Sequence, residues 1–295
     1  MVNRCNSYDT IDRLCFISLD HIQPSWHYQL IMELQLVNKS VFISGSTSGI
    51  GFAIAQGFLQ EGAKVILNGR SEDKLQEAIA HLKTLIPKAD VSGIVADFRD
   101  QKSIEFIQKQ IEQVDILINN IGIFASKSFQ ETSDQEWEEM FQVNVMSAVR
   151  LSRYFLPKML KQNWGRIIFI SSECAQLVPE DLIAYSTTKS ALLSLSRGLA
   201  QTTKGSNVTV NALLPGSTLT EGAVTFLKDQ AILQDRSEDK VAEDFFKKTR
   251  TSSLIQRFAQ PKEIADMALF IASPLSAATN GAAIKVDGGS IPGIL

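Results

Sequence analysis

The sequence predicts an α/β fold: a single domain built on a doubly wound parallel sheet of about seven strands, with helices on both faces. Three observations carry this. From Lys39 onward, short apolar runs alternate with segments of helical period. The apolar runs are nearly unbroken, as strands buried on both faces must be. A glycine-rich turn, SGSTSGIG (44–51), joins the first apolar run to the first helical segment. Strand-to-strand crossovers through helices are right-handed, and a set of them covers both faces of one sheet.

Each element follows in order. SVFIS (40–44) is short, apolar and β-branched and opens the sheet. Residues 50–63 place Ile50, Ala53, Ile54 and Phe58 at helical spacing. KVILN (64–68) is the second strand, and the next helix begins at Ser71, a hydroxyl suited to cap an N-terminus. VSGIVADF (91–98) leads into the helix DQKSIEFIQKQIEQ (100–113), and DILINN (115–120) is the fourth strand. A long helix covers roughly 134–160. GRIIFIS (165–171) is the fifth strand, followed by the helix AYSTTKSALLSLSRGLA (184–200). NVTVNALL (207–214) is the sixth strand. PKEIADMALFIASP (261–274) is a helix, and AAIKVDGG (282–289) closes the sheet. Residues 217–256 break this rhythm: they are charged and helical in pattern, and contain no strand. An insertion of that length in a compact sheet protein is more often a lid than a linker. A polar surface subdomain or an oligomer contact is the competing reading.

Composition narrows the class. The 295 residues are 44% hydrophobic and 21% charged, with 29 Lys+Arg against 32 Asp+Glu and a net charge of -3. There is no basic tract to suggest nucleic acid. No apolar run reaches the length of a membrane span. Cys5, Cys15 and Cys174 have neither metal nor disulfide spacing, so no metal is expected and a reducing cytoplasm is the expected compartment. Residues 1–31 differ from the rest and lack the plan of a secretory signal. Met32 opens directly into the strand pattern. It is the expected natural start, with residues 1–31 an extension and residues 32–295 the catalytic domain. An N-terminal arm packed on the surface is the alternative, and the mass of the native N-terminus decides between them.

The glycine turn carries chemistry. A chain leaving a strand for a helix must turn sharply, and a phosphate can approach only a backbone bare of Cβ atoms. The unpaired N–H groups at the helix start, with the positive end of its dipole, suit a pyrophosphate. Alone the turn is ambiguous, because similar turns join strands to helices with no ligand. Its spacing, G-x-x-x-G-x-G with a hydroxyl residue before it, resembles the short-chain dehydrogenase/reductase family, with Ser44 standing for the usual threonine. NNIG (119–122) is similar to the N-N-A-G of that family. Asn144, in VNV, stands where the family has its catalytic asparagine. Ser172 precedes Tyr185 by the family's interval, YSTTK (185–189) fits Y-x-x-x-K, LPGSTLT (214–220) resembles the segment that touches the nicotinamide, and VDGG (286–289) matches the C-terminal signature. These motifs run in family order from about 36 to 292.

The resemblance implies a Rossmann-type domain that binds a nicotinamide dinucleotide through Gly45, Ser46, Thr47, Ser48, Gly49, Ile50 and Gly51. It also implies contacts from Asp97, Phe98, Asn120, Gly122, Pro215, Gly216, Thr218 and Thr220. Where NAD enzymes of this family carry an acid for the adenosine ribose, this sequence has Gly69 followed by Arg70. A guanidinium pairs with a 2′-phosphate that an acid would repel. NADP(H) is therefore expected over NAD(H), although Ser48 stands where many NADP forms have a second basic residue. Arg70 as a solvated strand end, and Asp97 as a turn-capping acid, are the competing readings.

Carbonyl reduction needs a proton on oxygen as hydride reaches carbon. Tyr185 is the expected acid/base. Lys189, one helical turn on, is expected to lower the phenol pKa and to bond the nicotinamide ribose. Ser172 ends the fifth strand and is expected to position the carbonyl oxygen, with Ser171 as its competitor. By resemblance, Asn144 holds a water that resupplies protons through Lys189. Its other reading is a structural asparagine that kinks the helix. In the lid, Val224, Phe226, Leu227, Ile232 and Leu233 are expected to form an apolar inner face over a small carbonyl or alcohol substrate. Glu173 and Phe124 are further pocket candidates. An oxidoreductase is the leading reading. A cofactor-sensing binding protein on the same fold and a dehydratase or epimerase are the alternatives. The resemblance also implies a homo-oligomer, a tetramer or dimer.

Overall fold

The computed structural model describes residues 33–100 and 102–294. The expectations for residues 1–31 and for a start at Met32 lie outside the described residues. Seven strands, β1 (Ser40–Ile43), β2 (Lys64–Gly69), β3 (Asp90–Val95), β4 (Ile116–Asn119), β5 (Gly165–Ile170), β6 (Val208–Pro215) and β7 (Ala283–Val286), form one all-parallel sheet in the order 3-2-1-4-5-6-7. The chain leaves β1 toward one edge and returns at β4 to build toward the other. The crevice where a ligand can enter such a sheet therefore lies at the carboxyl ends of β1 and β4.

The helices are α1 (Gly49–Gln60), α2 (Glu72–Leu85), α3 (Lys102–Gln110), α4 (Asp134–Met140), α5 (Ser147–Lys161), α6 (Ile183–Thr202), α7 (Glu221–Gln234), α8 (Glu238–Lys248) and α9 (Pro261–Ala272). Successive strand residues face opposite sides, so each strand feeds two cores. Val41 and Ile43 pack with Ile54, Leu82 and Leu269 from α1, α2 and α9. Phe42, between them, packs with Ile107, Phe155 and Leu192 from α3, α5 and α6. All of these side chains are buried, and a fully buried residue of this size stabilises the fold by about 1.5–3 kcal/mol. Among the described residues no helix is long and apolar enough to cross a membrane.

Two helical expectations are refined. Ser71 does cap α2, its Oγ accepting from the Lys74 N–H at 3.5 Å. The helix expected over 134–160 is interrupted: α4 passes into a π-helical turn, Phe141–Met146, before α5 begins. The wider turn inserts one residue per hydrogen-bonded ring and re-aims the side chains around Asn144.

Residues 217–256 add no strand to the sheet. They form α7 and α8, packed on a small core of Leu227, Ala231 and Val241, with one isolated bridge from Thr218 to Ala259. The expected apolar inner face is only partly there. Leu227 is buried, but Ile232 and Leu233, at the end of α7, are 81% and 78% exposed. The buried face of α7 is that of Leu227 and Ala231, one turn apart, and neither Ile232 nor Leu233 falls on it.

Candidate active site

The glycine turn is held by Asn68, which sequence reading did not single out, and by Ser44 and Asn120, which it did. Gly45 and Gly49 have φ of +62 and +59°, a region closed to most residues with a Cβ. Asn68, fully buried at the end of β2, holds the turn: its Oδ1 accepts from the Gly45 N–H at 3.0 Å, and its Nδ2 donates to the Ile94 and Ala96 carbonyls at 3.2 Å each. One amide thus ties the turn to β2 and β3. Ser44 justifies its hydroxyl in the same way, accepting from the N–H groups of Asn120 and Ile121 at 3.0 and 3.2 Å. The Asn120 amide returns the contact, donating to the carbonyls of Ser44 and Gly45 at 3.0 and 2.7 Å.

At the N-terminus of α1 the Gly49 N–H donates to a carboxylate oxygen of Glu221, from the start of α7, at 3.2 Å. This is the position in which a helix end binds an anion. Glu221 supplies one from within the chain.

The candidate reaction centre lies at the ends of β5 and β6. Ser172 follows β5, with its Oγ accepting from the Cys174 N–H at 3.1 Å. The neighbouring Ser171 hydroxyl donates to the Lys189 carbonyl at 2.9 Å. Tyr185 sits in the first turn of α6, and the Phe124 ring meets its ring edge-on at 5.9 Å. Lys189, buried one turn later, donates to the Ile170 carbonyl at 2.9 Å. Its nitrogen is 5.6 Å from the centre of the Tyr185 ring.

Burial dominates the titration of both Tyr185 and Lys189. Burial pushes the phenol well above its ordinary value; the Ser172 hydrogen bond opposes this, and Cys174 and Glu173 add to it. Burial pushes the Lys189 ammonium down to about 8, against a smaller upward pull from Cys174. Desolvation thus biases each group toward its neutral form.

Asn144, in the π turn, is buried and held on both sides. Its Oδ1 accepts from the Ile123 N–H at 2.8 Å, and its Nδ2 donates to the Ile123 carbonyl at 2.9 Å and to Thr188 Oγ1 at 3.0 Å. It fastens the loop after β4 to α6.

Two cavities meet here. One, of about 760 Å³, runs over the glycine turn and the end of β2, lined by Gly45, Thr47, Ser48, Arg70, Lys74, Asp97, Arg99, Gly122 and Glu221, among others. The second, of about 580 Å³, is lined by Asn120, Gly122, Phe124, Ser172, Tyr185, Lys189, Pro215, Gly216, Thr218, Thr220, Phe226 and Arg250, among others. Gly122 borders both. A long cleft with a helix N-terminus midway and cations at one end has the shape and charge of a dinucleotide site.

The model of the short chain dehydrogenase family matches residues 39–231. The chain belongs to the short-chain dehydrogenase family. As such it is an oxidoreductase that interconverts carbonyl and hydroxyl groups with NAD(P). Uncharacterized oxidoreductase YvrD of Bacillus subtilis is 48% identical over 263 residues, covering 88% of this chain and 99% of its own. The 3-oxoacyl-acyl-carrier-protein reductase of Aquifex aeolicus is 33% identical, over 88% of this chain and 99% of its own. The crystal structure of L-sorbose reductase from Gluconobacter frateurii, complexed with NADPH and L-sorbose, is 31% identical. It superposes with a TM-score of 0.83, covering 89% of this chain and all of that one.

Other expected residues of this dehydrogenase have structural placements. Ser46 lies beneath the turn, its Oγ donating to the Ile43 carbonyl at 2.8 Å. Gly51 is buried, and a Cβ there would stand 2.5 Å from the Asn120 amide and the Gly45 carbonyl, so it sets how closely α1 approaches β4. The Phe98 side chain is in the core and lines neither cavity, which leaves only its backbone for a ligand. Asp97 does cap a turn, accepting from the Arg99 N–H at 3.0 Å, and it also lines the first cavity. The Arg99 guanidinium, with help from Arg70, holds its carboxyl below the usual value. Thr220 caps α7, accepting from the Ala223 N–H at 3.4 Å. Gly216 packs on the VDGG segment, where a Cβ would meet Asp287 at 2.7 Å. Lys74 was missed, although it falls one turn into the helix whose start Arg70 precedes.

Proposed function

We propose that this dehydrogenase reduces a small ketone with NADPH, Tyr185 donating the proton, Ser172 holding the carbonyl oxygen and residues 217–256 serving as a lid. The observation that carries the reading is the convergence of Ser172, Tyr185 and Lys189 on one cavity that adjoins, at Gly122, the cleft over the glycine turn. NADPH, when bound, supplies the hydride. The residues that would hold it are Thr47, Ser48 and Gly49 at the pyrophosphate, with Arg70 and Lys74 at the 2′-phosphate. The NADPH in the L-sorbose reductase structure supports this choice.

A phenol with a raised pKa remains protonated through neutral pH, which suits an acid in the reductive direction. Charge that develops on the substrate oxygen then meets the Ser172 hydroxyl and the Tyr185 hydroxyl in a site that excludes much of the water. Lys189 contributes through the charge it places behind Tyr185 as that ring loses its proton. Asn144 Oδ1 and the Lys189 nitrogen both flank Gly122, at 3.7 and 3.1 Å from where a Cβ would stand. This supports a proton path past them to solvent, using the remaining lone pair on Oδ1. The binding-protein alternative gains nothing from a site in which serine, tyrosine, lysine and asparagine are all present.

The test is NADPH oxidation against a panel of ketones, diketones and acetoacetyl thioesters. Wild-type protein is expected to turn over at least one class, and Tyr185→Phe to lose at least ~10²–10⁴-fold in kcat while retaining NADPH affinity. Tight NADPH binding with no turnover of any carbonyl would refute the reading, as would near-normal activity in the tyrosine variant.

A further inference from the structure

Behind Ser172 lies an ion pair that the reduction chemistry leaves unexplained. Glu173, the next residue, is buried, with 4% of its side chain exposed. Its Oε1 accepts from Arg250 Nε at 2.9 Å, and Arg250 is itself only 11% exposed. Arg250 comes from just beyond α8, so the pair joins the end of β5 to residues 217–256. Ser217 Oγ adds a longer bond to the same oxygen at 3.4 Å, while Glu173 Oε2 is buried without a partner among the described residues. The guanidinium also donates to the Thr249 carbonyl at 3.4 Å and faces Phe245, whose ring centre is 5.7 Å away. Arg250 lines the substrate-side cavity together with Phe124, Phe226, Phe245 and Phe258.

We infer that Arg250, held in place by Glu173, is a specificity-determining residue that selects ketones bearing a second, uncharged oxygen. The inference rests on the reduction proposed above and adds the class of substrate. An arginine is costly to bury in an aromatic pocket unless it is paired, and a pair with a partnerless carboxylate oxygen is not the most stable filling for a core. Its guanidinium offers more N–H groups than Glu173, Thr249 and the neighbouring Cys174 thiol use. Those left over face the cavity among apolar rings, where an oxygen acceptor is their natural complement. Glu173 also fixes which acceptor. It cancels the charge of Arg250, so the wall offers directed donors without net positive potential. A hydroxyl or second carbonyl satisfies such donors, whereas a carboxylate gains no net charge attraction from this pair. Asp181, at the rim of the same cavity, adds to the penalty for an anion.

Three methyl ketones of matched skeleton separate the cases: 4-hydroxy-2-butanone, 2-pentanone and acetoacetate. Each is assayed by kcat/KM with saturating NADPH, and the longer homologous set is run in parallel. Wild-type protein should favour the hydroxyketone over the plain ketone by roughly 10- to 100-fold, the value of a hydrogen bond to a charged donor. Arg250→Met should collapse that ratio through KM, and Arg250→Lys should recover part of it. Glu173→Gln, which keeps the shape and removes the negative charge, should raise the relative kcat/KM for acetoacetate. NADPH affinity, measured by fluorescence, reports that each variant is folded. If wild-type protein reduces ketones but the hydroxyketone ratio is unchanged in both Arg250 variants, the inference is wrong while the reductase reading stands. If Glu173→Gln leaves the preference against acetoacetate intact, charge cancellation is refuted. If no ketone is reduced by wild-type protein that binds NADPH, the reductase reading fails, and this inference with it.

Discussion

Lys189 donates to the carbonyl of Ile170 at 2.9 Å, and the same nitrogen stands 5.6 Å from the centre of the Tyr185 ring. The lysine is therefore anchored to the strand that carries Ser172, behind the phenol and not bonded within it. Its burial, which brings its pKa to about 8, makes its charge conditional on pH in a range where an exposed lysine would be insensitive.

Reduction should follow that charge. Below pH 8 Lys189 carries its proton and Tyr185, with its raised pKa, carries its own; above it the ammonium is lost first. The value of kcat/KM for ketone reduction should be flat near neutrality and fall with unit slope above about pH 8. A profile level to pH 10 would mean that the lysine charge is not needed.

Glu221 occupies the helix end at which the proposed function would seat the pyrophosphate. Its carboxylate accepts from the Gly49 N–H at 3.2 Å, and an incoming phosphate must displace it against like-charge repulsion. Glu221→Gln should tighten NADPH binding by roughly three- to tenfold at low salt, the scale of one charge at a helix terminus. Fluorescence titration measures this, and an unchanged or weaker Kd would show that Glu221 is not in the way.

Arg70 and Lys74 should set the choice of cofactor. Arg70→Ser should reduce the preference for NADPH over NADH by roughly 10-fold or more, with Lys74→Ala adding to it, because charge-assisted bonds to a phosphate are each of that strength. The ratio of kcat/KM for the two cofactors is the readout. A wild-type preference for NADH would overturn the assignment.

Asn68→Ala should lower stability by about 2–4 kcal/mol, because it deprives the buried carbonyls of Ile94 and Ala96, and the part-buried Gly45 N–H, of this partner. Denaturant unfolding tests this. A loss of a few tenths would place the turn's support elsewhere.

Much of this was legible in the chain. Unbroken strands such as GRIIFI are apolar for a reason that survives any detail of packing, since both faces of a central strand are covered. The glycine turn and the Tyr185–Lys189 spacing are local, and local geometry is what a sequence writes most directly. What was not legible depends on partners distant in sequence. Nothing near Asn68 announces that its amide reaches Gly45 and β3. Nothing near Glu173 points to Arg250, 77 residues away. The burial of Tyr185 is hidden for the same reason: spacing reveals a neighbouring charge, but burial is set by the whole fold. Ile232 and Leu233 failed as pocket residues because composition gives apolarity without the angle of the helix that presents it.

Gly122 has one further consequence. It is a wall common to two chambers, and it has no side chain with which to insulate one from the other. A single methyl group at this position would come within 3.1 Å of the Lys189 nitrogen. A side chain here would therefore crowd the lysine and intrude where the two chambers adjoin.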